Sequence, residues 1–86
     1  MEEEVLVTIE YIGLLASVTM KKNEKIFVPH EISQAMKKIR EYLITSYKID
    51  KNYSILINKK RVSEFTNDYL QNSSTIITVI PVLSGG

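Results

Sequence analysis

The sequence has no cysteine and no tryptophan, and its 86 residues include only two prolines and three glycines. Without cysteine, disulfides and thiolate metal sites are excluded, and any sulfur chemistry has to use a group other than a cysteine side chain. No apolar run approaches the length of about 18 residues that a membrane-spanning helix needs. The acidic N-terminus lacks the basic and apolar segments of a signal peptide, so we expect a cytoplasmic protein.

The charges nearly balance, because 11 basic residues face 10 acidic ones and the formal net charge is +1. So small a net charge creates no strong field, and neither nucleic acid nor a membrane is expected as a partner. The hydrophobic fraction of 44% is ordinary for a soluble globular protein. A chain of this length is expected to form one domain with a small core.

Alternation of apolar and polar residues predicts β-strands at 5–11, 53–58 and 75–80, with a shorter strand at 25–28. Val62 is expected to begin a short return strand, and an irregular loop is expected at 63–74. The segment from Thr19 to Glu24 is polar, and we expect it to be a connection that contains a turn.

One amphipathic helix is predicted after Pro29, from Glu31 to Ser46. Five apolar residues recur there at helical spacing: Ile32, Ala35, Met36, Ile39 and Leu43. Lysine, arginine and glutamate lie on the opposite side, so one stripe of the helix is free to pack on a sheet. The element order therefore predicts an α+β fold in which a single main helix covers one face of a sheet.

The last predicted strand is followed by Pro81, which has no backbone N–H and is expected to end strand pairing after Ile80. Residues 1–80 are then expected to form the domain, and residues 81–86 a flexible functional tail. That tail contains the apolar pair Val82-Leu83 where a solvated segment would be polar, which indicates a partner groove.

Two of the three glycines end the sequence as Gly85-Gly86. A carboxylate preceded by two residues without Cβ atoms can pass along a narrow channel and approach a nucleotide closely. The carboxylate of Gly86 is therefore the candidate reactive group, and adenylation on a separate enzyme would prepare it for a sulfur or nitrogen nucleophile. A frayed terminus without function is the alternative interpretation.

The element order and the ending Ile80-Pro81-Val82-Leu83-Ser84-Gly85-Gly86 together resemble the small subunit of molybdopterin synthase, the MoaD-like sulfur carriers with a ubiquitin-like β-grasp fold. Tyr11-Ile12-Gly13-Leu14-Leu15 resembles that family's aromatic end of the first strand and the short helical turn after it. Ile57-Asn58 resembles its Val-Asn before the hairpin. The sequence departs from the family at Ser73-Ser74, where Gly-Asp is usual, and at Val82, where a second proline is frequent.

The resemblance implies that an E1-like adenylating enzyme, similar to MoeB and ThiF, activates Gly86 with ATP and Mg that the enzyme binds. A sulfur donor would then form a thiocarboxylate, and the tail would enter the MoaE-like large synthase subunit to give sulfur to a pterin precursor of the molybdenum or tungsten cofactor. No cofactor and no catalysis are expected of this chain alone. Three alternatives remain: a ThiS-like carrier of the thiamine pathway, a ubiquitin-like modifier joined through Gly86 to lysines, and a plain interaction domain.

Strand phase selects Ile76 and Ile80 as exposed apolar residues, on the opposite face from Ile77 and Val79. Position relative to the family adds Ile12 and Arg61, although Ile12 and Ile80 could instead complete the small core. The candidate partner-binding residues are Ile12, Arg61, Ile76, Ile80, Pro81, Val82, Leu83 and Ser84. The candidate reactive residues are Gly85 and Gly86.

Other motifs indicate ordinary surface. Lys59-Lys60-Arg61 is interpreted as a solvated turn because no aromatic platform accompanies it. His30 is expected at the surface near the helix start, with no metal role. The tyrosines are expected to pack at the core margin with their hydroxyl groups outward, and no site is expected among them: Tyr11, Tyr42, Tyr47, Tyr53 and Tyr69.

Overall fold

The fold is a mixed β-sheet with two helices, seen in a computed structural model that describes residues 3–62, 69–70 and 74–82. Within these residues the elements follow the order β1 (Glu4–Tyr11), α1 (Leu14–Thr19), β2 (Asn23–Pro29), α2 (Ile32–Tyr47), β3 (Tyr53–Ile57), β4 (Lys60–Arg61) and β5 (Ile76–Pro81). Neither helix in the described residues is long and apolar enough to cross a membrane.

The sheet has the strand order β2-β1-β5-β3-β4, which places β5 at its centre. β5 runs parallel to β1, in register from Thr8 opposite Ile76 to Tyr11 opposite Val79. The other pairings, β1 with β2, β3 with β5 and β3 with β4, are antiparallel. The first and last strands of the described chain therefore pair with each other.

The core lies between one face of this sheet and α2. Alternate residues of β1, β3 and β5 are buried there: Val5, Val7, Ile9, Tyr11, Ile55, Ile57, Ile77 and Val79. The helix contributes the five apolar residues that its periodicity predicts, and all five are buried: Ile32, Ala35, Met36, Ile39 and Leu43. Burial of apolar surface at about 25 cal/mol per Å² is the main stabilising contribution in so small a domain.

The α+β prediction, with a mixed sheet covered on one face by one main helix, is confirmed. The helix runs from Ile32 to Tyr47, one residue later at each end than its pattern predicts. The polar connection is shorter than expected, because α1 occupies Leu14–Thr19 and β2 already begins at Asn23. Helix α1 lies where the resemblance implied a short helical turn.

The expectation that pairing ends after Ile80 is wrong. Pro81 belongs to β5 and stands opposite Tyr53, and the N–H of Val82 donates to the carbonyl oxygen of Asn52 at 2.9 Å. Proline is tolerated because its nitrogen faces the β1 side of β5, where β1 has already ended at Tyr11. The missing N–H therefore removes no bond of the ladder with β3.

Candidate functional site

The candidate site is the end of β5, from which the predicted tail continues. Pro81 and Val82 belong to the described residues, whereas Leu83, Ser84, Gly85 and Gly86 lie outside them. The geometry available is therefore that of the tail base.

The tail base is held on both sides by backbone hydrogen bonds. On one side, the N–H of Ile12 donates to the carbonyl oxygen of Val79 at 3.1 Å. On the other side, Val82 bonds to Asn52, as described above. Two neighbouring strands thus fix the position at which the chain leaves the sheet.

Gly13 shapes the turn beside Pro81. Its backbone has φ 57° and ψ −126°, a combination that residues with a Cβ atom rarely adopt. A Cβ atom at this position would lie 3.8 Å from the Cγ of Pro81, which is ordinary contact, so conformation and not space demands glycine. The turn starts α1 directly against the tail base.

Exposed apolar side chains surround this point. Ile12 is 40% exposed and Val82 is 46% exposed, while Pro81 between them is half-buried. We call Ile12, Pro81 and Val82 the tail-base patch. Its neighbour α1 also exposes the apolar side chains of Leu14 and Val18, and Met20 is exposed directly after the helix. Exposed apolar surface of this kind marks contact sites for other proteins.

The structure does not bring all candidate partner-binding residues together. Ile80 is half-buried and adjoins the tail-base patch through the chain. Ile76 is exposed but lies at the opposite end of β5, opposite Thr8. Arg61 is exposed on β4, which is separated from β5 by β3. Ile76 and Arg61 therefore belong to other parts of the surface.

The structure also contains a cluster that the sequence did not reveal, centred on Glu24 of β2. The hydroxyl groups of Tyr11 and Tyr47 each donate to Oε2 of Glu24 at 2.6 Å, and the hydroxyl group of Tyr42 donates to Oε1 at 2.7 Å. The ammonium group of Lys21 donates to Oε1 at 3.1 Å. The Glu24 side chain is only 12% exposed, so one carboxylate accepts four donors in a largely buried position. We call these five residues the Glu24 cluster.

The tyrosine rings reinforce the cluster. The ring of Tyr47 meets those of Tyr11 and Tyr42 edge to face, with centroids 5.9 and 5.8 Å apart. For these three tyrosines, the expectations of outward hydroxyl groups and of no common site are wrong. No local pattern could have shown the cluster, because its members come from β1, β2, α2 and the turn before β2.

The electrostatics of the Glu24 cluster follow from burial and hydrogen bonding. Burial alone would raise the pKa of Glu24, but the hydrogen bonds from Tyr11, Tyr47, Tyr42 and Lys21 outweigh it and lower that pKa from 4.5 to about 2. Burial, with the hydrogen bond to Glu24, raises the pKa of each of the three tyrosines above its ordinary value. The carboxylate is therefore ionised and the phenols are neutral across the physiological pH range.

His30 has a structural environment. Its ring stacks on Tyr69 with centroids 4.7 Å apart, and its carbonyl oxygen accepts a hydrogen bond from the N–H of Leu70 at 2.8 Å. These contacts hold residues 69–70 against the start of α2. Among the residues that the structure describes, no group of three or more side chains is arranged to hold a metal ion.

The sequence matches no protein-family model and no curated protein sequence. Solved structures do match over nearly the whole chain. A Pyrococcus furiosus protein assigned as molybdopterin converting factor, subunit 1, has a TM-score of 0.68 at 15% identity, over 92% of this chain and 99% of that chain. Small archaeal modifier protein 1 (SAMP1) from Methanosarcina acetivorans has a TM-score of 0.64 at 16% identity, over 98% and 99% of the two chains.

A eukaryotic protein shares the same architecture. Urm1 from Trypanosoma brucei has a TM-score of 0.54 at 14% identity, and the match covers 100% of both chains. With such low identities, the similarity establishes the fold and leaves the individual role open. The chain has the same ubiquitin-like β-grasp fold as these proteins.

Proposed function

We propose that this chain is a sulfur carrier whose Gly86 carboxylate is adenylated and thiocarboxylated, and that it donates sulfur to the pterin precursor in molybdopterin biosynthesis. The observation that carries the proposal is the position of β5, a central strand that delivers Pro81 and Val82 to exposed apolar surface just before Gly85-Gly86. The similarity to a protein assigned as molybdopterin converting factor, subunit 1, supports the choice of pathway.

The chemistry is activation of a carboxylate followed by sulfur transfer. On an E1-like enzyme that holds ATP and Mg, a Gly86 carboxylate oxygen attacks the α-phosphorus of ATP, and pyrophosphate leaves. Hydrosulfide from a sulfur donor then attacks the carbonyl carbon and AMP leaves, which yields the thiocarboxylate. In the MoaE-like large subunit, the thiocarboxylate sulfur displaces an oxygen substituent from a carbon of the precursor and forms a thioester. Water then cleaves this thioester, which leaves the sulfur on the precursor and restores the Gly86 carboxylate.

Each candidate residue has a place in this proposal. Gly85 and Gly86 enter the partner's channel, because residues without Cβ atoms permit close backbone approach. Val82, Leu83 and Ser84 contact the partner at the entrance of that channel. Ile12, Ile80 and Pro81 give the partner an apolar contact at the tail base, and Ile76 and Arg61 are proposed contacts elsewhere on the sheet.

The second candidate function is protein modification through the same activated tail. A lysine amine of another protein would attack the acyl adenylate, AMP would leave, and an isopeptide bond to Gly86 would form. The similarity to the small archaeal modifier protein from M. acetivorans favours this candidate over a plain interaction domain. A thiamine-pathway carrier would use the same thiocarboxylate. The two pathways differ in the molecule that accepts the sulfur, which is the pterin precursor in the proposed pathway.

Mass spectrometry of the protein from its native cell tests the proposal. Intact mass first establishes that Gly86 carries the terminal carboxylate, and the expected modification is exchange of one oxygen for one sulfur at that residue. Lysines of other proteins joined by isopeptide bonds to the C-terminal peptide of this chain, without the sulfur exchange, would contradict the carrier role and identify a modifier. Because Arg61 is the last basic residue, trypsin would leave residues 62–86 on such a lysine. Thiocarboxylated protein should also convert the pterin precursor with the large subunit, and failure of that step would contradict the molybdopterin assignment.

Gly86→Ala is expected to reduce adenylation by the cognate enzyme at least tenfold, because its methyl group has to fit a channel shaped for glycine. The thermal unfolding midpoint should stay unchanged, since the last core residue that the structure describes is Val79. Pyrophosphate release measures activation, and Lys38→Ala on the exposed face of α2 is the control. Equal activation of Gly86→Ala and the control variant would contradict the channel argument.

A further inference from the structure

Strand β2 lies at one end of the sheet. Within the described residues it pairs with β1 only, over its whole length from Asn23 to Pro29. The chain is described without a gap from residue 3 to residue 62, so the segments that enter and leave β2 are both placed. Lys22 before the strand and His30 after it still bond to β1 or to Glu3 just before it, so neither segment folds back along the outer side of β2.

The backbone groups of alternate β2 residues point away from β1. At one end of the pairing, the N–H of Tyr11 donates to the carbonyl oxygen of Lys22 at 2.9 Å. At the other end, the N–H of His30 donates to the carbonyl oxygen of Glu3 at 2.9 Å. In an antiparallel ladder, residues that bond across alternate with residues whose N–H and C=O groups face the other way. The outward-facing residues, which we call the β2 edge, are Asn23, Lys25, Phe27 and Pro29.

The β2 edge exposes a large aromatic side chain. Phe27 is 58% exposed, and burial of so much apolar surface would be favourable. Lys25 is exposed beside it on the same face. Pro29 stands at an outward-facing position, so its missing N–H removes no bond with β1. Outward backbone groups beside an exposed ring form a template for another strand.

The two ends of β2 carry opposite charges. Exposed lysines lie at its start: Lys21, Lys22 and Lys25. Exposed glutamates lie at its other end, where Glu31 follows the strand and Glu3 bonds to His30. Two copies of the strand that pair antiparallel bring the basic end of each beside the acidic end of the other. A second copy of this chain therefore complements β2 in charge as well as in backbone groups.

We propose that two copies of this chain associate through the β2 edge, antiparallel and related by a two-fold axis, to form one continuous sheet. Such an interface needs a surface that is complementary to itself, and an antiparallel strand pair provides one. The axis passes between the two Ile26 residues, so that Lys25 of each copy faces Phe27 of the other and exchanges both backbone bonds with it. The N–H of Asn23 donates to the carbonyl oxygen of Pro29 of the second copy, and every outward N–H of the edge has an acceptor.

The edge lysine selects this register. Lysine on an edge strand discourages pairing with arbitrary strands. A slide by two residues in one direction would place Lys25 opposite Lys25 of the second copy, and like charges that face each other destabilise a strand pair. The opposite slide would place the N–H of Asn23 beyond the end of the second strand. In the proposed register, the lysine stem packs on the phenyl ring and the ammonium group gains a cation–π contact.

The association leaves the candidate site free. In each copy β1 separates β2 from β5, so the tail base lies two strands away from the shared edge. Because adjacent strands lie about 4.8 Å apart, the two β5 strands would lie about 24 Å apart across the dimer. The two tail bases lie at opposite ends of the joined sheet. The dimer adds to the proposed function and does not depend on whether Gly86 is activated.

Single-cysteine variants of the full chain test the register, because the natural sequence has no cysteine. Ile26→Cys places two thiols at the axis, where the Cα atoms of a non-hydrogen-bonded pair lie about 4.5 Å apart, within the range of a disulfide. At about 1 mM chain, a disulfide dimer of Ile26→Cys should form at least tenfold faster than one of Lys25→Cys or Phe27→Cys. Ile44→Cys, exposed on α2, is the control for random collisions.

Exchange of charges across the interface supplies matched variants. Phe27→Lys places a lysine opposite Lys25 of the second copy at two symmetric positions and is expected to weaken association at least tenfold. Lys25→Glu combined with Phe27→Lys places opposite charges there and should restore association to within about threefold of the natural chain. Lys38→Glu, exposed on α2, is the control. Sedimentation equilibrium measures the dissociation constant, and the amide spectrum of each variant reports whether its fold is retained.

Any of three results would overturn the proposal. A natural chain that stays monomeric at about 1 mM has no such interface, because even weak specific association is detectable there. Fastest disulfide formation at position 25, 27 or 44 would exclude the proposed register. Hydrogen exchange should protect the amides of Lys25 and Phe27 more strongly as the concentration rises. Protection independent of concentration would show that the edge is covered within one chain.

Discussion

The Glu24 carboxylate stabilises the fold through four hydrogen bonds. A charged acceptor makes hydrogen bonds that are each worth about 1.5 to 3 kcal/mol, and Glu24 accepts four of them. Its ionised form is therefore strongly preferred in the folded state, which is why its pKa is lowered despite burial. This single carboxylate joins the end of β1 to the C-terminal half of α2.

Glu24→Gln is expected to lower the free energy of unfolding at pH 7 by about 3 kcal/mol, which is the free energy corresponding to a pKa change from 4.5 to about 2. Because the folded-state pKa is the lower one, this stabilisation is fully present above about pH 4.5 and is lost as the pH falls toward 2. Urea unfolding of both proteins at several pH values measures the difference, which should shrink across that window.

Glu41→Gln is the control for this experiment, since Glu41 is an exposed glutamate on α2. Its effect on the free energy of unfolding should stay within about 0.5 kcal/mol at neutral pH. A difference between wild type and Glu24→Gln that stayed constant from pH 7 to 2 would show that the charge of Glu24 does not carry the stabilisation.

At the scale of elements, the turn between β1 and α1 depends on one glycine. Gly13→Ala is expected to reduce the free energy of unfolding by about 1 to 3 kcal/mol, because alanine is strained at φ 57° and ψ −126°. Chemical denaturation measures the loss. Ser17→Ala, an exposed change within α1, should have little effect.

The same variant tests the role of the turn at the tail base. Strain at Gly13 should displace Ile12 and Pro81, so the amide signals of Ile12 and Val82 should move more than those of β4. Unchanged stability together with unchanged signals at Ile12 would contradict the proposed demand for glycine.

Elements with a long periodic pattern were predictable, and short ones were not. Helix α2 shows five core residues at helical spacing, so its pattern predicted both ends to within one residue. Helix α1 has only six residues and packs through few of them, so its local pattern is too short to indicate a helix. Pro81 misled the prediction because the effect of a proline depends on which neighbouring strand its nitrogen faces, and that is a property of the sheet.

For the whole molecule, one buried stripe of α2 determines whether the domain folds. Ile39 is fully buried, whereas Ile44 on the same helix is 48% exposed. Ile39→Asp is expected to cost about 4 kcal/mol or more and to unfold the protein, because it buries an unpaired charge. Ile44→Asp should cost less than about 1 kcal/mol.

Circular dichroism during thermal unfolding compares the two aspartate variants under identical conditions. A cooperative transition in Ile39→Asp at the wild-type temperature would show that the core does not depend on this stripe. Unfolding of Ile44→Asp at a lower temperature would instead show that the exposed face of α2 also stabilises the domain.

The candidate site was only partly accessible to sequence analysis. Gly85-Gly86 and the exposed positions Ile12 and Val82 could be selected from the sequence, since they depend on chain order and on the family resemblance. The Glu24 cluster could not, because it gathers residues from separate elements through tertiary contacts. Features that depend on pairing partners need the folded molecule.

The central position of β5 also has a consequence for biosynthesis. β5 is made after every other described strand, yet it separates β1 from β3, so the sheet has no middle until β5 has emerged from the ribosome. Contacts between the first and last strands are the most distant in sequence, and such contacts form slowly. Folding is therefore completed only after synthesis has passed Pro81, and an activating enzyme that recognises the folded sheet cannot act on a nascent chain that lacks its final strand.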